Sequence, residues 1–194
     1  MKKILGIVLI GLLWCNVGFA EKKSLWEIKE TDKHVFISVN GTIYSEHMFF
    51  VLKKNNKKCE YMDIYFDVFN PNEKQLDIDG MLGQKLKIKS SHTSGLVNSE
   101  IIGIHPSSSS AIGEIDKSYS YLDNDRQVYL SFAKNVLINK YDLKKLSKDI
   151  LRVEIVEHQS FNPKLYFADE FLFNEWNLEK LNDYIRVGLK RCVK

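Results

Sequence analysis

A segment of alternating residues, positions 57–68, constrains the fold more than any other part of the sequence. Its apolar side chains recur at every second position, which is the periodicity of a β-strand with one buried face: Met62, Ile64, Phe66 and Val68. The intervening residues are predicted to share an exposed polar face: Cys59, Tyr61, Asp63, Tyr65 and Asp67. The chain is therefore expected to be built around a sheet.

The first twenty residues have the three-part layout of a secretory signal. Lys2 and Lys3 form a basic start, an apolar run follows over 4–14, and Gly18-Phe19-Ala20 ends in small residues. The apolar run is about half the ~20 residues that a membrane-spanning helix needs. We expect cleavage after Ala20, periplasmic localisation, no stable membrane span after cleavage, and a single exported domain over residues 21–194.

Charge argues against two classes of partner. The chain of 194 residues has a net charge of +3, and without Lys2 and Lys3 it falls to +1. A chain so close to neutrality has no basic excess for binding nucleic acid or an anionic membrane surface. The expected partner is instead a protein or another component of the cell envelope.

Two cysteines, Cys59 and Cys192, remain after the predicted cleavage. An oxidising compartment permits a disulfide between them, and two buried free thiols are the alternative. No Cys-x-x-Cys sequence is present, which disfavours a redox enzyme. In either case these two residues have a structural role.

Short strands recur along the chain with turn signals between them. Besides the segment that contains Cys59, strands are predicted at 25–30, 34–40, 47–53, 84–89, 97–104, 151–156 and 165–173. Helical spacing predicts a short helix within 127–141, a basic helical turn at 142–148, and a C-terminal helix over 177–191 capped by Asn177. The expected fold is mainly β (α+β): an antiparallel β-sandwich or partly open barrel with one or two helices.

The order of these segments resembles a known group of exported proteins. Trp26 and Ile28 mark a first strand, a lone cysteine follows a polar hairpin, and a strand over 83–88 precedes a terminal helix ending in Cys192. This layout is similar to small uncharacterised periplasmic proteins of marine alphaproteobacteria. It resembles more remotely the β-sandwich domains of the invasion-associated locus B type and the periplasmic accessory proteins of type VI secretion. The resemblance implies fold and compartment and no activity.

The catalytic motifs in the sequence are isolated. Ser131 and Lys134 fit Ser-x-x-Lys, but the companion Ser-Asp-Asn and Lys-Thr-Gly elements of penicillin-binding enzymes are absent. Asp63 and Asp67 lie four positions apart on one strand, about 13 Å, which is too far for a glycosidase pair. We expect no catalytic residues.

Metal and cofactor motifs are equally incomplete. A calcium-like segment over 75–86 has Gln75 at the first ligand position and Leu86 at the last, where carboxylates are required. The five histidines form no His-x-x-x-His pair: His34, His47, His92, His105 and His158. No metal and no cofactor are expected, and Phe167, Phe171, Phe173 and Trp176 are interpreted as core residues.

The sequence thus favours a non-catalytic binding or accessory protein of the bacterial cell envelope. A small periplasmic hydrolase with an unfamiliar site is the alternative. A pocket that gathers His, Asp, Glu or Ser side chains from separate strands would favour the hydrolase.

Overall fold

A computed structural model describes residues 25–42, 46–56, 58–70, 78–106, 126–140, 143–147, 150–159 and 161–193. The predicted signal at 1–20 lies outside these residues, and so do the first ligand positions of the calcium-like segment. None of the helices in the described part of the chain is long and apolar enough to cross a membrane.

The protein is mainly β, as predicted: among the described residues, nine strands form one open antiparallel sheet, and two α-helices accompany it. The strands are β1 (Trp26–Glu30), β2 (His34–Asn40), β3 (His47–Asn55), β4 (Lys58–Asn70), β5 (Lys85–Ser90), β6 (Leu96–Pro106), β7 (Arg126–Leu137), β8 (Ile150–Val156) and β9 (Phe173–Asn177). The helices are α1 (Leu143–Leu146) and α2 (Leu181–Cys192). Their order across the sheet is β1-β2-β3-β4-β7-β6-β5-β8-β9, and every pairing is antiparallel.

One face of the sheet carries the hydrophobic core, because alternation along the strands directs their apolar residues to the same side. The four predicted apolar residues of β4 are all buried there, together with Val35, Ile37 and Val39 of β2. Helix α2 adds Leu181 and Ile185 from its apolar side. Burial of each such side chain contributes about 1.5–3 kcal/mol to the stability of the folded state.

Helix α2 lies close against β2 and β3 because it has a glycine at the contact. A Cβ atom at Gly188 would lie 2.8 Å from Cδ1 of Ile37 and 2.8 Å from Cδ1 of Leu52. No larger residue fits there without a shift of the two side chains. The approach of the helix to the sheet is thus set by the missing side chain.

The predicted disulfide is present. Cys59 near the start of β4 is bonded to Cys192, the last residue of α2, with the two Cα atoms 5.8 Å apart. It closes a sequence separation of 133 residues. The bond suggests an oxidising extracytoplasmic compartment.

The prediction that Cys59 lies on the exposed polar face of β4 is wrong. Cys59 packs against the hydrophobic core and not on the side of Asp63 and Tyr65. The reason is a register shift, since Lys53 pairs with Tyr61 but Lys54 pairs with Cys59. One extra residue in β4 reverses the alternation, as a β-bulge does.

The helix predicted within 127–141 is also wrong, because this segment is the central strand β7. Its apolar residues Val128, Phe132 and Val136 recur every four positions, which imitates a helix. Four is also an even number of positions, so in a strand these three side chains share one face, and all of them contact the hydrophobic core. The pairing of β7 with β4 has two register shifts, one of them next to Asn135, whose φ is 51°.

Two further boundaries differ from prediction near the C-terminus. The strand predicted at 165–173 is wrong: this segment includes the end of one 3-10 turn, Pro163–Leu165, and all of another, Asp169–Phe171, and the strand begins at Phe173. Asn177 does not cap the helix, which begins at Leu181. Its side chain accepts a hydrogen bond from the backbone N–H of Glu179 instead, at 3.0 Å.

Candidate functional site

The two ends of the open sheet meet at a group of polar residues. The backbone N–H of Thr42, just after β2, donates to the carbonyl oxygen of Glu175 in β9 at 3.0 Å. The same N–H lies 3.0 Å from Oδ1 of Asn174, which also accepts from Oγ1 of Thr42 at 3.1 Å and from the N–H of Glu175 at 2.7 Å. Asn174 therefore fastens β9 to the β2–β3 connection.

Glu46 completes this contact from the residue before β3. One carboxylate oxygen accepts from the N–H of Phe69 at 3.2 Å, and the other accepts from the side-chain amide of Asn174. Glu46 is 1% exposed and Asn174 is 3% exposed. We call Thr42, Glu46 and Asn174 the polar seam.

Gly41 allows the seam to close. A Cβ atom at this position would lie 2.6 Å from Oδ1 of Asn174. That distance is shorter than any contact that a methyl group tolerates. Asn-Gly is a dipeptide typical of tight turns, and Asn40-Gly41 lies where the chain passes the side chain of Asn174 in β9.

A histidine–aspartate pair adjoins the seam. Asp67 of β4 is 2% exposed, and one of its oxygens accepts from the backbone N–H of His47. Its other oxygen lies 3.3 Å from Nδ1 of His47. The side chain of Gln127 in β7 also forms a hydrogen bond with the Asp67 carboxyl group. Such a carboxylate fixes the orientation of the imidazole and leaves Nε2 on the opposite side of the ring.

Burial controls the protonation of these groups. It raises the pKa of Glu46 to about 8, against the hydrogen bonds from Asn174 and Phe69, and nearby Asp67 raises it further. Burial also raises the pKa of Asp67, although His47 and Gln127 oppose the change. For His47, burial favours a lower pKa, but the hydrogen bond and charge of Asp67 outweigh it and raise the pKa. The cluster therefore retains protons at pH values where free carboxylic acids have lost them.

A second feature lies on the face of the sheet that points away from the core. Five apolar or aromatic residues from four adjacent strands pack together, and we call them the outer strip: Phe36, Phe49, Val51, Tyr65 and Tyr129. The rings of Phe49 and Tyr65 are stacked with centroids 4.9 Å apart, and Tyr129 lies 5.8 Å from Phe49. His47 connects the strip to the seam, with its ring 5.7 Å from that of Phe49.

The exposed polar face predicted for β4 is only partly correct. Tyr61 is 42% exposed, and Asp63 is half-buried with an ion pair to Lys53 at 2.8 Å. The prediction was wrong for Asp67, because His47 on β3 and Gln127 on β7 cover it from both sides. Tyr65 is half-buried in the outer strip, where burial and the nearby aspartates raise its pKa.

The Ser-x-x-Lys motif of Ser131 and Lys134 does not form a catalytic site. Oγ of Ser131 accepts a hydrogen bond from the N–H of Glu100 at 3.0 Å, while Lys134 forms an ion pair with the Glu100 carboxylate at 2.8 Å. The two side chains thus bind different groups of one residue, the backbone N–H and the carboxylate of Glu100. Asp79, from the calcium-like segment, pairs with Arg126 at 3.0 Å.

The histidines are dispersed among different strands and loops, apart from the contact of His47 with Asp67. Within the described ranges, no three His, Cys, Asp or Glu residues are grouped in a way that could hold a metal ion. Of the four aromatic residues predicted in the core, Phe167 and Trp176 are fully buried and Phe171 packs at the core's border. Phe173 is 43% exposed, and that prediction is wrong.

Sequence reasoning missed Glu46 and Asn174. Each is a common type of polar residue, Glu46 just before β3 and Asn174 within β9, and the two are 128 positions apart. The one available signal is the Asn40-Gly41 turn, which locates a close backbone approach without naming its partner.

No protein-family model, curated protein or solved structure matches this chain. Its function is therefore inferred from its own residues.

Proposed function

We propose that the protein is an exported, non-catalytic binding or accessory protein of the bacterial cell envelope. Its partner is a protein or another envelope component, and it contacts the outer face of the sheet. The observation that carries this proposal is the outer strip, which places aromatic residues on a face that the hydrophobic core does not use.

The composition of this face supports partner binding. Tyrosine and phenylalanine are enriched at protein interfaces, because they provide a large contact area at a small cost in conformational entropy. Phe49, Val51 and Tyr129 are buried within the strip. A partner therefore reaches the half-buried Phe36 and Tyr65, together with Tyr61, which is more exposed on the same strand as Tyr65. The Lys53–Asp63 ion pair lies beside them and provides polar groups at the border.

The proposed compartment is the periplasm. The disulfide supports an oxidising environment, and the N-terminal sequence has the features of a secretory signal. The similarity of the segment order to small periplasmic proteins of marine alphaproteobacteria, noted above, agrees with this compartment.

A site-specific cross-linking experiment tests the proposal. A photoreactive phenylalanine analogue is placed at Phe36 or at Tyr61, and, as a matched control, at Phe173 on the edge strand β9. We expect a discrete cross-linked product in intact cells from positions 36 and 61 and none from position 173. Equal labelling at all three positions, or no product from the strip, would contradict the proposal.

The alternative, a small hydrolase, is favoured by the His47–Asp67 pair. A buried carboxylate that orients an imidazole is the arrangement of a general base in acyl transfer. The proposal of a binding protein predicts no turnover of chromogenic ester, phosphate, glycoside and peptide substrates. Turnover that is lost in His47→Ala and retained in His34→Ala would favour the hydrolase.

A further inference from the structure

The polar seam contains a buried acid, Glu46, that forms no ion pair with any residue that the structure describes. Both carboxylate oxygens of Glu46 accept hydrogen bonds from neutral N–H groups, those of Phe69 and Asn174. Within the described part of the chain, a negative charge at this position would therefore be stabilised by these two hydrogen bonds alone.

The charged groups around Glu46 do not supply the missing positive charge. From β4, the buried carboxyl group of Asp67 acts on Glu46 and opposes its ionisation. His47 is held by Asp67, and Glu27 and Lys29 of β1 act on His47 with opposite signs. On the side of β9, Glu175 forms an ion pair with Arg152 at 2.6 Å.

Ionisation of Glu46 therefore acts on the contact that joins the two ends of the sheet. Two buried carboxylates repel each other at low dielectric, and hydration of Glu46 requires Asn174 to move away. Asn174 accepts from both donors of Thr42, and the Thr42 N–H also donates to the carbonyl oxygen of Glu175, so β9 separates from the β2–β3 connection when Thr42 loses both partners.

We propose that the polar seam is a pH-sensitive latch, closed while Glu46 is protonated and released when Glu46 ionises. In the released state Glu46 is hydrated, and β9 remains bonded to β8 through their antiparallel pairing. Trp176 of β9 stays packed against Phe66 in this state, and the disulfide still holds α2 to β4. The sheet thus opens at one contact and does not unfold.

The structure sets the size of the effect. Glu46 has a pKa of about 8 in the closed seam and 4.5 when hydrated. Proton linkage then makes the opening equilibrium rise with pH between these two values. Between pH 6 and pH 8 the population of the open state increases about fiftyfold.

Amide hydrogen exchange measured by NMR tests the latch. The reporters are the N–H groups of Thr42 and Phe69, and the reference is the N–H of Ile101, which donates to the carbonyl of Gln84 at 3.0 Å far along the sheet. Protection is compared at pH 6 and pH 8 after division by the exchange rate of an unstructured amide at each pH. The variants are Glu46→Gln, which cannot ionise, and Glu154→Gln, which removes an exposed carboxylate on β8.

Between pH 6 and pH 8, we expect the exchange protection of the Thr42 and Phe69 N–H groups to fall about fiftyfold in the wild type and in Glu154→Gln. The protection of the Ile101 N–H should change less. In Glu46→Gln the protection of Thr42 should be independent of pH. The latch is refuted if Thr42 protection is unchanged in the wild type, or if it falls equally in Glu46→Gln. It is also refuted if all three amides lose protection equally, because that result indicates global unfolding.

Discussion

Removal of the Cys59–Cys192 disulfide tests how the C-terminal helix is held. The change is the double variant Cys59→Ala/Cys192→Ala, which avoids burying two unpaired hydroxyl groups in place of sulfur. Cys192 is buried and Cys59 packs at the border of the core, so alanine preserves the apolar character of both sites. The variant therefore reports mainly on the cross-link.

The expected loss follows from the length of chain that the bond closes. In the chain-entropy description, a cross-link across a separation of 133 residues contributes about 5 kcal/mol, because it restricts the unfolded chain. Leu181 and Ile185 remain packed on the core in the variant. We thus expect the native fold to persist, with α2 still docked and its last turn less ordered.

Urea denaturation followed by tryptophan fluorescence measures this loss. The free energy of unfolding should decrease by about 5 kcal/mol, and wild-type protein treated with reductant should behave like the variant. The dependence of this free energy on urea concentration should become steeper, because the uncrosslinked chain exposes more surface when it unfolds. An unchanged midpoint and slope in the variant would show that the bond does not restrict the unfolded state, and would refute the reasoning.

Three other perturbations address the core and the seam. Gly188→Ala places a methyl group against Ile37 and Leu52, and should cost about 1–3 kcal/mol in urea denaturation despite the better helix propensity of alanine. Asn174→Ala removes the partner that Thr42 and Glu46 share. We expect the free energy of unfolding to decrease by at least about 2 kcal/mol. A smaller decrease would contradict the role of Asn174. The free energy of unfolding of the wild type should decrease by about 2–3 kcal/mol between pH 5.5 and 7.5. Glu46 in the native state keeps a proton that Glu46 in the unfolded chain releases above a pKa of 4.5. Glu46→Gln should remove this pH dependence, although it sacrifices one hydrogen bond at every pH, and a persistent slope would exclude Glu46 as the source.

The spacing of apolar residues in the sequence predicted those parts of the fold that depend on residues close together in the chain. The alternation of Met62, Ile64, Phe66 and Val68 required a strand with one buried face, and all four residues are buried. Prediction failed where the apolar spacing fitted two structures. In β7 the residues Val128, Phe132 and Val136 are four positions apart, and this spacing fits one face of a strand as well as one face of a helix.

The sequence by itself determined the β-rich class, the apolar face of β4, the C-terminal helix, and the two cysteines available for a disulfide. These features follow from periodicity and composition, which act over a few residues. Tertiary structure alone decided the order of the strands, the bulge that turns Cys59 toward Cys192, and the burial of Asp67 between β3 and β7. It also brought Glu46 to Asn174, 128 positions away. A raised carboxyl pKa requires burial by distant strands, so the sequence near Glu46 contains no sign of it.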